Sequence, residues 1–145
     1  LITDPYGPRV RLGKIFTDLP LVHDRPVDLG VEAFCEICLR CAEACPTRAM
    51  CDGERTADAG HPGINTGMRK WPVDPDRCFS FWVRRRGHCT TCVRVCPFNK
   101  PDTWLHNMVR WQVSRLPLLN RLSNWADGVF GYGEQALGDP DDEYY

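Results

Sequence analysis

No run of apolar residues in this chain approaches the ~18 that a helix needs to cross a membrane. No sign of charge dominates either. The formal net charge is −1 over 145 residues, which leaves no electrostatic footprint for nucleic acid or for an anionic membrane surface. A cleavable leader and a twin-arginine start are both missing, and Leu1 stands where an initiator methionine would be. The opening Leu1-Ile2-Thr3-Asp4-Pro5-Tyr6 reads as the middle of a longer sequence. The expectation is a C-terminal piece, with any targeting signal lying upstream. Length and a 43% hydrophobic content suit one folded domain.

Cysteine is what the chain does have: nine residues, eight of them in two runs. The first is Cys35, Cys38, Cys41 and Cys45 followed by Pro46, the C-x2-C-x2-C-x3-C-P order of bacterial two-cluster iron–sulfur ligation. The second ends the same way in Cys89, Cys92, Cys96 and Pro97, with its leading cysteine displaced upstream to Cys78. Eight thiolates meet the needs of two [4Fe–4S] clusters. Disulfides suit small secreted chains with too little core, but C-x2-C pairs in a rigid turn are poor disulfide geometry. Structural zinc uses C-x2-4-C pairs in fours and does not call for a third and fourth cysteine followed by proline, twice over. It stays the main alternative.

The spacing also predicts how the ligands divide. Three thiolates two residues apart wrap one corner of a cubane. Cys45 comes four residues after Cys41, so in a helical turn its sulfur sits roughly 6 Å further along the axis. The fourth cysteine of such a run ligates the other cluster. Cluster one is therefore expected on Cys35, Cys38, Cys41 and Cys96, and cluster two on Cys45, Cys78, Cys89 and Cys92. Cys51 falls outside both runs. It reads as a buried small apolar side chain, with a spare or exchangeable ligand as the alternative.

The resulting fold class is α+β, a bacterial two-[4Fe–4S] ferredoxin-like domain with an extended N-terminal connector and a C-terminal helical extension. Residues 1–34 are the connector, rich in proline, with one possible strand from Val10 to Phe16. Residues 35–100 form the cluster domain. Within it, Ala49-Met50 and Trp71–Val73 are expected as short antiparallel strands, and the polar, glycine-rich stretch 52–70 as a surface loop. Residues 101–137 are the helical extension. There Trp104, Met108 and Trp111 share a face at i, i+4 and i+7, and Pro117 splits the helix in two. That stripe reads as core, as a cover for the clusters, or as a seat for another domain. Residues 138–145 are an acidic tail, expected to fray.

Three further features have two readings each. Arg84-Arg85-Arg86 is a solvated loop or an offset to cluster charge. His88 adjoins Cys89, and histidine does ligate iron in Rieske centres, but eight thiolates already suffice. Trp82, four residues after Cys78, either packs against cluster two or walls an active site.

Certain flanks are more specific than the cysteines. They are Ala33-Phe34-Cys35 through Pro46, Trp71 with Cys78-Phe79-Ser80-Phe81-Trp82, and Cys96-Pro97-Phe98-Asn99-Lys100-Pro101. Tyr6-Gly7-Pro8-Arg9-Val10-Arg11, Thr17-Asp18-Leu19-Pro20 and Phe130-Gly131-Tyr132-Gly133 accompany them. Together they resemble the C-terminal iron–sulfur region of corrinoid-dependent reductive dehalogenases. The resemblance implies an oxidoreductase that removes halogen from an organohalide at the cobalt of a corrinoid (cobalamin), fed by two [4Fe–4S] clusters. It places the corrinoid and a proton-donating tyrosine in an upstream domain of the same polypeptide. It also implies an electron donor, with a membrane-anchor subunit among the candidate partners. The location is the outer face of the cytoplasmic membrane for an exported enzyme, or the cytoplasm for a catabolic one. Trp82, Arg9 and Arg11 become candidates for one wall of the active site. Two other readings stay open. One is the iron–sulfur portion of an epoxyqueuosine-reductase-like tRNA-modifying enzyme. The other is a stand-alone ferredoxin-like electron carrier.

Overall fold

The computed structural model describes residues 2–4, 6–25 and 27–131. The acidic tail and Tyr132-Gly133 lie outside the described residues. Among the described residues the chain forms α1 (Val31–Cys38), α2 (Arg40–Glu43), α3 (Pro75–Arg85), α4 (Thr91–Arg94), α5 (Trp104–Arg115) and α6 (Asn120–Val129). A 3-10 turn, Pro117–Leu119, joins the last two, so Pro117 divides the extension as the sequence predicts. No helix among these residues is long and apolar enough to cross a membrane.

The first cysteine run is shaped by a break. Leu39 takes a left-handed conformation (φ 51°) that ends α1 and starts the single turn α2. Cys35 and Cys38 thus lie on one helix, Cys41 on the next turn, and Cys45 just past its end. The second run repeats the backbone almost bond for bond. In α2, Leu39 C=O accepts from Ala42 N–H (2.9 Å) and Glu43 N–H (3.0 Å); in α4, Thr90 C=O accepts from Val93 N–H (3.0 Å) and Arg94 N–H (2.9 Å). Arg48 N–H to Cys45 C=O (3.1 Å) has its counterpart in Asn99 N–H to Cys96 C=O (2.8 Å). The turns α2 and α4 pack against each other. Cys78 comes from α3 instead, whose start is well signalled: Pro75 sits in the first turn and Asp74 accepts from Arg77 N–H at 3.0 Å.

Between the runs, the two expected strands meet in one antiparallel bridge, Met50 with Val73. Cys51 N–H to Pro72 C=O (3.0 Å) and Asp74 N–H to Ala49 C=O (2.8 Å) flank it. The intervening loop is exposed but clasped. Thr56 and Lys70 form a second bridge. The Arg55 guanidinium lies 5.3 Å over the Trp71 ring and pairs with Glu32 (2.6 Å) and Glu36 (3.2 Å) on α1.

Two expectations fail here. Val10–Phe16 forms no strand, because no described segment runs alongside to pair with it, and Ile15 and Phe16 are 92% and 94% exposed. Of the three readings of the stripe Trp104, Met108 and Trp111, core fails, since all three are exposed, and an exposed apolar face is what a seat for another domain presents. The inward face of α5 is His106, Arg110 and Val113, offset by two residues and so turned to roughly the opposite side. Arg110 reaches Asp4 (3.4 Å) and Asp102 (3.3 Å) from that face, which explains why polar side chains turn inward.

The apolar core is small: Phe34, Phe98 and Val113, with Ile2, Val31, Cys38 and Cys96 against it. Phe34 and Phe98 meet edge to face at 5.3 Å, a contact worth about 0.5–1.5 kcal/mol beyond burial. Each phenylalanine adjoins a cysteine run in sequence. The core is thereby welded to the metal-binding backbone. Gly30, at the start of α1, is positive in φ (67°), and a Cβ there would meet the Val113 carbonyl oxygen at 2.4 Å. Gly30→Ala is expected to destabilise the chain by roughly 2–4 kcal/mol through strain and overpacking. A urea unfolding midpoint equal to that of the parent would contradict this close approach of α1 to α5.

Candidate metal centre

All nine cysteines are free thiols and all are half-buried. Their electrostatic neighbours show which thiols lie close to one another. Burial raises the Cys35 thiol from its usual 9.0 to about 12, and Cys96, Cys38 and Cys41 add to the effect in that order. Burial likewise lifts Cys96 to about 11, opposed by the Phe98 and Asn99 amides and reinforced by Cys38 and Cys41. Cys78 is pushed up by burial, then by Cys89 and Cys45. Cys92 is raised by burial, then by Cys41, Cys89 and Cys78, against the Val93 amide. So Cys96 sits with the first run's Cys35, Cys38 and Cys41, and Cys45 sits with Cys78. Cys41 stands at the junction: Cys45 is the first thiol to act on it, and it is the first to act on Cys92.

Cys45 is the one thiol driven down. Burial alone would raise it, but the Met50 amide, the Thr47 hydroxyl and the Thr47 and Ala49 amides together outweigh that. Ala49 N–H donates to Cys45 Sγ at 3.3 Å, and the Thr47 hydroxyl lies 3.7 Å away. The left-handed Arg48 (φ 51°) turns the chain back so that these donors converge. Amides also point at Cys38 (from Arg40), Cys41 (from Ala42) and Cys92 (from Val93). The Cys89 thiol lies 3.5 Å from the Thr91 hydroxyl. Such N–H···S donors stabilise thiolates and, with solvent exposure, set cluster potentials.

The spread of the sulfurs bears on which metal group fits. Thiolates on one tetrahedral zinc, with Zn–S near 2.3 Å, lie about 3.8 Å apart. Among the described residues no three cysteine sulfurs fall within 4.8 Å of one another. The sets are too open to close on a single ion without movement, and they suit the larger [4Fe–4S] group.

Among the described residues one other candidate ligand trio stands out, His61, Asp74 and Asp76. Gly63 N–H donates to His61 Nδ1 at 3.0 Å, so the ring proton sits on Nε2, which faces Asp76 at 3.2 Å. A nitrogen that carries a proton offers no lone pair to a metal. Of the three, Asp74 caps α3, and His61 pairs with Asp76 in its first turn.

The remaining sequence candidates are placed as follows. Trp82 lies on α3, about a third exposed, and meets His88 edge to face at 5.7 Å. Arg85 stacks over Phe81 at 5.5 Å. Arg9 and Arg11 are exposed in the irregular segment before α1. Cys51 is half-buried at the Met50–Val73 bridge. Sequence reasoning missed Arg40, Lys100, Asn124 and Asp127, which form a polar knot beside the first set. Arg40 between two ligands and Lys100 four residues past Cys96 were the available signals.

The fold and site therefore define a double-cluster iron–sulfur module, and the matching family model agrees: a 4Fe–4S double cluster binding domain over residues 34–99. Beyond that module, the chain is 41% identical over 132 residues to the tetrachloroethene reductive dehalogenase of Sulfurospirillum multivorans, covering 91% of this chain and 26% of that protein. The solved structure of a catabolic reductive dehalogenase superposes with a TM-score of 0.71 at 28% identity, covering 80% of this chain and 16% of that one. The chain belongs to the iron–sulfur region of the reductive dehalogenases. It spans about a quarter of the length of the curated relatives it matches. Epoxyqueuosine reductase from Bacillus subtilis is a weaker match, 31% identical over 123 residues and 73% of this chain.

The thiol shifts fix a pH dependence for the metal-free chain. Cys35 and Cys96 hold their protons more tightly folded than unfolded, so their contribution to stability is fully present below pH 9. It is lost as pH rises through the folded values of about 12 and about 11. The urea midpoint of the reduced, metal-free chain is expected to fall steadily above pH 9. A midpoint that rises or stays level over that range would show the thiols to be solvent-exposed.

Proposed function

We propose that this chain delivers electrons within a reductive dehalogenase, passing them through two [4Fe–4S] clusters to a corrinoid held by an upstream domain of the same polypeptide, where an organohalide loses its halogen. The observation that carries the proposal is the pairing of Cys96 with Cys35, Cys38 and Cys41, and of Cys45 with Cys78, in a chain whose flanks match reductive dehalogenases. When bound, the clusters supply one-electron carriers. Cys35, Cys38, Cys41 and Cys96 would hold the first and Cys45, Cys78, Cys89 and Cys92 the second.

The chain's own residues do the rest. The turn α2 brings Cys41 and the chain just past it Cys45, while α4 brings Cys92 and the chain just past it Cys96. Each stretch thus supplies one ligand to each set and keeps the sets side by side. Amides aimed at the sulfurs hold the thiolates in place. Phe34 and Phe98 keep water from the first set. Trp82, on the helix that supplies Cys78, is proposed to face the substrate channel, and the exposed Arg9 and Arg11 to meet the upstream domain.

Cysteine replacement tests the ligand exchange. Cys96→Ser is expected to remove the paramagnetic signal of the cluster held by Cys35, Cys38 and Cys41, and Cys45→Ser that of the other. Each substitution abolishing the cluster of its own run would contradict the exchange.

The division of labour is testable separately. The 145-residue chain, loaded with iron and sulfide, is expected to be reduced by dithionite yet to release no halide from an organohalide. The longer polypeptide with corrinoid is expected to release it. In that polypeptide Trp82→Ala should lower turnover several-fold with iron content unchanged. Turnover and iron falling together would assign Trp82 to packing alone.

A further inference from the structure

The polar knot beside the first cysteine set has more charge than anchoring requires. Asp127 of α6 accepts from Lys100 Nζ at 2.8 Å through one oxygen and lies 3.5 Å from Arg40 Nη1 through the other. All three side chains are largely buried, at 10%, 10% and 18% exposure for Asp127, Lys100 and Arg40. Asn124 fixes the guanidinium further, its side-chain oxygen accepting from Arg40 Nε (3.1 Å) and its carbonyl from Nη2 (2.7 Å). Gly128 leaves the room, since a Cβ there would stand 2.9 Å from Arg40 Nη2.

The knot is set among ligands. Arg40 lies between Cys38 and Cys41 in sequence, and its amide points at the Cys38 sulfur. Lys100 follows Cys96 by one turn of chain. The helix that bears Asp127 lies against the residue before Cys38, since Asn124 donates to the Ile37 carbonyl at 3.3 Å, so Arg40 and Asp127 both stand beside the first run. The knot places two cations and one anion beside thiolates that reduction makes still more negative.

We propose that Arg40, Asp127 and Lys100 form a buried charge triad that sets the reduction potential of the cluster on Cys35, Cys38, Cys41 and Cys96, with Asp127 moderating the two cations. The proposal rests on the ligand sets given under the proposed function. It gives α6 an electronic role besides packing. The residues act through the cluster's field and not by contact with substrate. One electron enters the cluster from the donor, and a nearby cation stabilises the more negative, reduced form. Removing a cation must lower the potential, and removing the anion must raise it. A purely structural knot has no reason to move the two in opposite directions.

The test is a dithionite redox titration of the full-length, anaerobically loaded polypeptide, followed by paramagnetic resonance so that each cluster is read separately. Arg40→Gln is expected to shift the first cluster to lower potential and Asp127→Asn to shift it to higher potential, with the second cluster unmoved. If Arg40→Gln does not hold iron, Arg40→Lys replaces it and is expected to stay near the parent value while Asp127→Asn still rises. Shifts of the same sign overturn the triad, as does an Asp127→Asn protein with full iron and an unmoved potential. A shift confined to the cluster that Cys45→Ser removes overturns it as well. Failure of the ligand sets shows elsewhere, as loss of the wrong cluster in the cysteine variants.

Discussion

Eight sulfurs gathered into two adjoining sets repel one another as thiolates and resist ionisation where they are buried, and the surrounding backbone is shaped to meet that constraint. The rise of Cys35 and Cys96 to about 12 and about 11 shows its size. The response is local and repeated. A left-handed residue or a non-helical cap starts a single helical turn, two cysteines bracket the turn, and amides then close on the sulfurs. At Cys45 this response outweighs burial. Iron supplies the positive charge that the bare sets lack, so metal binding and folding are coupled.

That constraint also accounts for the small apolar core. Phe34, Phe98 and Val113 are its central residues, a modest cluster for a chain of 145 residues. Part of the interior is given to sulfur, and the apolar residues gather where the backbone leaves the cysteine runs. Outside that centre the helical extension is tied on by polar contacts. Asn124 donates to the Ile37 carbonyl at 3.3 Å, and Asp127 takes Lys100 and Arg40. Breaking such a buried pair by removing one partner typically costs about 3–5 kcal/mol, so the extension is held firmly without a large apolar seam.

The cysteine order alone makes the site legible, because ligand spacing is a geometric demand and not a propensity. Pro117 is legible for a similar reason: it acts on its own backbone. The face of α5 is not. Trp104, Met108 and Trp111 have the period of a buried stripe, yet Arg110 turns inward to Asp4 and Asp102, and a one-dimensional pattern contains no partner from the far end of the chain. The same holds for Val10–Phe16, whose strand propensity meets no neighbouring strand among the described residues. The triad of Arg40, Lys100 and Asp127 is hidden in the sequence because its members come from three separate segments, each unremarkable alone.

The central claim is that eight of the nine cysteines hold two [4Fe–4S] clusters. Native mass spectrometry of the anaerobically reconstituted chain weighs this directly. The account predicts one dominant species heavier than the bare chain by two Fe4S4 units, with Cys51→Ala unchanged in its metal load. A species carrying a single cluster, or zinc in place of iron, would contradict it.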